Sequence, residues 1–401
     1  MERRLSRLLA LFTLLALAAS ACAQQNTAVS AGDAPESLAS VEGTEAIEEV
    51  VEESGPALDR LIVAARGDIN ASPLWIADAE GFFEANGIAV DFLPVTDADD
   101  LAATMRQNLA QVAVESSATA LTRIANARAD ISLIAYIDGT SGGSAERGTM
   151  SLVVPTALDN QVLDTWDGCD LVGLTIGVDS TTSLQAIALR EMLRSSECGD
   201  APVFDGSTSA TTPSSTEDAE EESSNTDETA DVDQAEGLTL VESDAVNLKA
   251  ALQLGTLDGG VFAEPNTTRL LGENEGDGLD VPITIVANLD RELCGVNRCA
   301  NSVVVASNTW IDNNEAVAER LNTSIEQAIQ WIQSNELEYR AALVSCCALK
   351  SNDASAIPKP NFVGNEGDFF AEVDAIVDVL IALDKVQDRS RLDNSIIRIA
   401  E

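Results

Sequence analysis

Histidine is absent from all 401 residues, and tyrosine occurs only twice. Without an imidazole the chain lacks the commonest general base and the commonest metal ligand, which excludes Ser-His-Asp, Cys-His and His-zinc chemistries. Basic residues are also scarce: 23 Lys and Arg stand against 67 Asp and Glu, for a formal charge of −44. A surface of that sign repels nucleic acid and anionic lipid, so neither is expected as a partner. It suits high-salt surroundings. Beyond the first line no apolar run approaches the roughly 20 residues that a spanning helix needs.

That first line, MERRLSRLLALFTLLALAASAC, carries a positive head (Arg3, Arg4, Arg7), an apolar run from Leu8 to Ala19, and the small residues Ser20 and Ala21. The run is too short to span comfortably and ends at a small-residue cleavage site, so residues 1–21 read as a secretion signal. Small residues abutting Cys22 resemble the bacterial lipobox, whose cysteine becomes the acylated first residue, although Ala19 stands where Leu is usual. The resemblance implies a lipid anchor at Cys22. Residues 22–59 are rich in Glu, Ala, Ser and Gly without an apolar period, the composition of a flexible acidic tether. The folded part is therefore expected outside the cytoplasm, held to the membrane only by lipid.

Of seven cysteines, six remain once Cys22 is set aside: Cys169, Cys198, Cys294, Cys299, Cys346 and Cys347. An even count in an exported chain favours disulfides. Cys169 and Cys198 flank one strand–helix unit and make an attractive pair. Cys294 and Cys299 either staple one tight loop or cross to the adjacent Cys346 and Cys347. A four-thiolate zinc site from these four fits no usual ligand spacing, so no metal and no cofactor are expected.

After the tether, short β-rich runs alternate with helical patterns. Strands are expected at Leu61–Ala65, Ile88–Val95, Val112–Glu115, Ile131–Tyr136, Met150–Val154, Leu174–Val178, Leu238–Glu242, Gly260–Ala263, Ile283–Ala287 and Ser302–Ala306. Helices start at Ser72–Pro73, at Asp97 or Asp99, near Ser116 or Ser117, at Ser183 and at Asp244, the last closed by Gly255. Asp312 with Glu315 suggests a capping box before a long amphipathic helix, and Phe370 to Leu383 reads as the final one. Residues 205–237 form an acidic Ser/Thr-rich insertion, expected to be disordered.

Alternating strands and helices imply an α/β fold with mainly parallel sheets covered by helices on both faces. Two such series joined by the Gly/Ser-rich stretch at 138–149, with extra C-terminal helices, imply two lobes. The expected boundaries are 60–150 for the first lobe, 151–305 for the second, and 306–401 for a helical return to the first. Ligands in such sheets bind beyond the carboxyl ends of the strands, against helix N-termini.

The stretch LIVAARGDINASPLWIADAEGFFEANGIAVDF resembles the opening of the nitrate/sulfonate/taurine-type solute-binding proteins, a group that includes thiamine-pyrimidine-precursor binders. The resemblance continues through VAVESSATALTRI, LVGLTIGVDSTTSLQAIALREML, ALQLGTLDGGVFAEPNTTRLL and SVVVASNTWIDNNEAVAERL, covering about Leu61 to Ile332. The segment MRQNLAQVAVES departs from the family, with Asn108 and Gln111 where Gly-x-x-Asp is usual. The resemblance implies a two-lobed type II periplasmic binding fold, a small-molecule ligand, and an ABC transporter permease and ATPase as partners. A monomer is expected.

Candidate ligand contacts follow from position. Ser116 and Ser117, and the cluster Ser180, Thr181, Thr182 with Ser183, open helices after strands, where hydroxyls and free N–H groups can hold an anionic head; the alternative is simple N-capping. Ser72 and Asn70 mark a third such start. Arg66, just after a strand, can pair with an anion or form a salt bridge. Glu264 can accept from a ligand amine or stand as a solvated carboxylate. Trp75 and Tyr136 are the large amphipathic rings expected near the cleft, too few to cage choline or betaine.

These features point to a lipid-anchored solute-binding protein that delivers an anionic or zwitterionic molecule (a sulfonate, nitrate, carboxylate or pyrimidine) to an ABC transporter, not to an enzyme. A sensing lipoprotein of the same fold is the alternative. A thiamine-pyrimidine synthase is disfavoured, because those relatives carry an active-site histidine.

Overall fold

The computed structural model describes residues 58–140, 148–156, 158, 166–206, 237–273, 282–294, 299–347, 349–364, 368–393 and 396–398. All belong to one compact unit, Gly55–Glu401. The signal 1–21, the anchor Cys22, nearly all of the tether 22–59 and most of the insertion 205–237 lie outside the described residues.

Eleven strands are described: β1 (Asp59–Ala65), β2 (Ile88–Pro94), β3 (Val112–Ser116), β4 (Ile131–Thr140), β5 (Met150–Pro155), β6 (Thr175–Val178), β7 (Val203–Gly206), β8 (Leu238–Glu242), β9 (Gly259–Ala263), β10 (Ile283–Asn288) and β11 (Cys299–Ser307). They form two sheets, ordered β2-β1-β3-β11-β4 and β10-β5-β9-β6-β8-β7. In the first, β1 pairs parallel with β2 and β3, while β11 runs antiparallel to both its neighbours. In the second, β6 is parallel to β8 and β9, and β7 to β8, while β5 runs against β9 and β10. Each sheet is thus parallel apart from one strand, the first to be laid down after the chain crosses between lobes. β11 begins at Cys299, so the chain has rejoined the first sheet ahead of the boundary near 305 read from sequence.

The inner strands are apolar along both faces because helices cover both. Val303, Val304, Val305 and Ala306 of β11 are fully buried. On one side of the first sheet Leu61, Val63 and Val304 pack with Leu74 of the helix Ser72–Ala79 and with Leu321, Ile325 and Ile332 of Glu315–Ser334. A second cluster runs from Leu121 through Leu152 and Leu189 to Val377, joining both lobes at their base.

Helix ends follow the expected chemistry in most places. Asp97, Ser116, Ser183 and Asp244 each accept a backbone N–H of the first turn, and Gly255 closes its helix in the left-handed region at φ +67°. The long helix differs. Ser307 caps a separate short helix, Asn308–Asn313, and Asn314 precedes Glu315 with no side-chain cap. Asp312 instead accepts from Arg398 at 2.6 Å, so no capping box forms. Helices at Asn266–Glu273, Leu289–Cys294 and Glu336–Cys346, and the edge strand β7, add to the elements read from sequence.

Cys169 and Cys198 are joined by a disulfide, with Cα atoms 5.1 Å apart. Cys347 is also disulfide-bonded. The side chains of Cys294, Cys299 and Cys346 lie outside the described part. Among the described residues no helix is long and apolar enough to cross a membrane.

Candidate ligand cleft

The carboxyl ends of β1 and β2 in one lobe face those of β6, β8 and β9 in the other across a cavity of about 700 Å³. A recess of about 90 Å³ continues it toward β3 and β11. Arg66, Asp68, Asp179, Ser180 and Gln185 line both, so they sit at the junction. Strand-end loops form this wall because a parallel strand must hand its chain to a helix there, exposing the polar turn.

Arg66 leaves the end of β1 and reaches across to Asp179 at the end of β6, with Nη1 3.4 Å from Oδ2. Both side chains are partly exposed, 33% and 25%. Asp68 turns inward beside it, and its Oδ1 accepts the N–H groups of Asn70 (3.1 Å) and Ala71 (3.2 Å). Burial pushes the Asp68 carboxyl up, Arg66 and the two N–H donors oppose this, and the like charge of Asp179 adds to the rise. Asn70 lines the recess with a buried Oδ1 that has no hydrogen-bond partner.

Ser116 lines the recess and caps its helix through Thr119 N–H at 3.2 Å. Behind it Glu115 is buried and takes both oxygens to Arg123, at 2.8 and 2.9 Å. Ser117 does not line the cleft: it is fully buried and donates to the carbonyl of Ala300. Ser72 is likewise fully buried, 3.1 Å from the Tyr339 hydroxyl, and lines neither cavity. In both cases the hydroxyl falls on the helix face turned to the core.

In the second lobe Ser180 and Thr182 line the cleft, while Thr181 serves it from behind. The N–H and hydroxyl of Thr181 reach Glu242 Oε1 at 2.6 and 2.8 Å, and the Ser180 hydroxyl adds a third bond at 3.2 Å. These donors, the Thr181 N–H first, hold the Glu242 carboxyl below its usual range against the opposing effect of burial. Glu264, only 2% exposed, lines the cavity and accepts from Thr268 N–H at 3.2 Å.

Neither expected ring reaches the cleft. Trp75 packs on Phe92 with centroids 3.9 Å apart, and Tyr136 stacks on Phe369 at 4.6 Å with its hydroxyl on Glu372. Trp75 lies on the helix Ser72–Ala79 and turns its ring onto β2, whereas Tyr136 on β4 turns its ring onto the final helix.

Of the carboxylates that dominate the larger cavity, the sequence singled out only Glu264 as a ligand contact. Among the described residues, Asp68, Asp97, Asp99, Asp179, Glu242, Asp244 and Glu264 line the larger cavity against two cations, Arg66 and Arg269. A signal was present: β1, β2, β6, β8 and β9 each end in, or within three residues of, an acid.

The described structure has the two-lobed fold of periplasmic solute-binding proteins of the sulfonate and nitrate kind. It is similar to the alkanesulfonate-binding protein SsuA from Xanthomonas axonopodis pv. citri bound to MOPS, with a TM-score of 0.60 at 13% identity over 86% of this chain and 99% of that one. It is similar to the periplasmic nitrate-binding protein NrtA from Synechocystis PCC 6803, with a TM-score of 0.53 at 11% identity over 74% and 69% of the two chains. The desulfurization enzyme DSZB has the same fold, with a TM-score of 0.52 at 15% identity over 82% and 94%. The fold therefore does not by itself separate binding from catalysis. No family model and no curated protein matches the chain in sequence.

Proposed function

We propose that this chain is an extracytoplasmic solute-binding lipoprotein, anchored through Cys22, which closes two lobes around a small molecule and presents it to the permease and ATPase of an ABC importer. One observation carries the reading: a cavity of about 700 Å³ between the strand ends of two sheets, with polar side chains supplied from both. That volume lies in the range of ordinary small-molecule sites. Binding that touches both halves favours the closed arrangement by its differential contacts. Arg66, Asn70, Ser116, Ser180, Thr182 and Glu264 are the direct contacts from the sequence reading that line the cleft, while Ser72, Ser117 and Thr181 hold the walls. The chain has no histidine, and among the described lining residues there is no cysteine, which favours capture over covalent chemistry. From sequence, the expected solute is anionic or zwitterionic: a sulfonate, nitrate, carboxylate or pyrimidine.

A thermal-shift screen of the exported chain across these solutes and their cationic counterparts tests the reading. A true ligand raises the melting temperature with its concentration over Kd and lowers the radius of gyration in solution scattering. Chemical conversion of the bound molecule on incubation, followed by NMR, would overturn it.

A further inference from the structure

We propose that the solute is an organic cation whose ammonium or guanidinium group takes the place that Arg66 now holds against Asp179 and reaches the carboxylate of Asp68 across the junction. The inference rests on the solute-binding reading of the cleft and narrows its ligand. It departs from the anionic ligand suggested by the hydroxyl-rich helix starts.

The anion seats around the cleft are already filled. Helix and turn N-termini hold anions through unsatisfied N–H groups. Around this cleft the chain's own oxygens occupy them: Asp68 takes Asn70 and Ala71, Asp97 takes Asp100, Glu242 takes Thr181, and Ser183 takes Ala186. Three of these four caps are carboxylates. A sulfonate or nitrate would have to displace a built-in anion and then sit beside it.

Seven carboxylates line the larger cavity against two arginines, and both arginines are engaged, Arg66 with Asp179 and Arg269 with the Cys347 carbonyl at 3.1 Å. Asp68 and Asp179 come from opposite lobes and repel one another, so closing the cleft brings like charges together. Something positive must lie between them. In this structure the nearest cation is the guanidinium of Arg66, which meets Asp179 at a long 3.4 Å and acts on Asp68 only through its charge. Among the described residues the second oxygen of Asp68 accepts no hydrogen bond, and the buried Oδ1 of Asn70 beside it has no donor. The junction thus offers acceptors to an N–H-rich group.

The spacing of the carboxylates suits an organic cation better than a metal ion. Among the described residues no three Asp, Glu, Cys or His side chains converge as one ion requires. The carboxylates are spread over the cavity wall, which suits a molecule with extended or repeated positive charge.

Calorimetry on the full chain decides the matter, with putrescine and agmatine as cationic probes and ethanesulfonate and nitrate as anionic ones. The expected result is binding of a cationic probe, weakened by added NaCl. Its Kd should rise at least ~10-fold in Asp68→Asn and in Asp179→Asn. Arg66→Ala supplies the opposite sign, because removing the internal competitor leaves cation binding at least as tight. Melting temperatures of the three variants without probe identify any that fail to fold, and Arg66→Ala alone still reads the proposal. Binding of ethanesulfonate or nitrate that is lost in Arg66→Ala overturns the cation and leaves the solute-binding reading standing. Absence of heat and of melting shift with both classes overturns both.

Discussion

Asp138 is 1% exposed on β4, close to where the chain leaves the first lobe, and its Oδ2 accepts from Asn301 Nδ2 at 2.9 Å. Burial pushes its carboxyl up to about 7, the neighbouring charges of Asp290 and Asp68 add to this, and Ser302 and Asn301 oppose it. Asp290, just after β10, is pushed to about 6, chiefly by burial. A carboxyl whose folded value exceeds its unfolded 3.8 costs stability once ionised, so the penalty is full above pH 7 and fades as pH falls toward 3.8. Asp138→Asn mimics the neutral form. It should therefore be more stable than the parent at pH 8, by up to roughly 4 kcal/mol, and lose that advantage progressively toward pH 4. Denaturant melts at both pH values measure the gap, and a constant gap would contradict the assignment. The same residue scale explains why the cleft was only half legible. Hydroxyls at helix starts stand out in any sequence, but in a chain of 67 acids each aspartate reads as solvated surface. Glu264 was a candidate from its place after a strand, but only the fold shows that Asp68 is turned inward.

Strands and caps were legible because their physics is local. Apolar runs such as LIVAA and SVVVA must be covered on both faces, and Ser183 or Asp244 directly before a periodic segment offers an oxygen to orphan N–H groups. Ser183→Ala should cost about 1 kcal/mol, read as a shift in urea midpoint with an unchanged slope. The pairing of Cys169 with Cys198 also followed from local order, since a strand and a helix bring both ends of one unit together. That bridge closes a separation of 29 residues, and Cys169→Ser with Cys198→Ser should cost roughly 2–4 kcal/mol. A negligible change in the reversible melt would show that the second lobe holds its shape without it. What local order does not reveal is which helix face meets the core. Ser72 and Ser117 begin helices as expected, yet tertiary packing rotates their hydroxyls onto Tyr339 and Ala300.

At the scale of the whole molecule, two crossings organise everything. After β4 the chain leaves for β5, and after β10 it comes back as β11, which lies between β3 and β4. Gly148 stands at the first crossing because the backbone runs against Asn288 and Asp290 there: a Cβ would lie 2.1 Å from one side chain and 2.2 Å from the other. Gly148→Ala should therefore lower stability by about 1–3 kcal/mol and loosen the junction, visible as faster amide exchange in β5 and β10. Unaltered exchange in both strands would show that the neighbouring side chains give way freely.

The position of β11 sets an order of assembly. A chain made from its N-terminus delivers β1 to β4 with a gap between β3 and β4, which nothing fills until residue 307 has been added. By then every strand of the other lobe has already been made and is free to fold. The half of the protein that is made first is thus the half that is finished last, and its unpaired strand edges stay open to wrong partners in the interval.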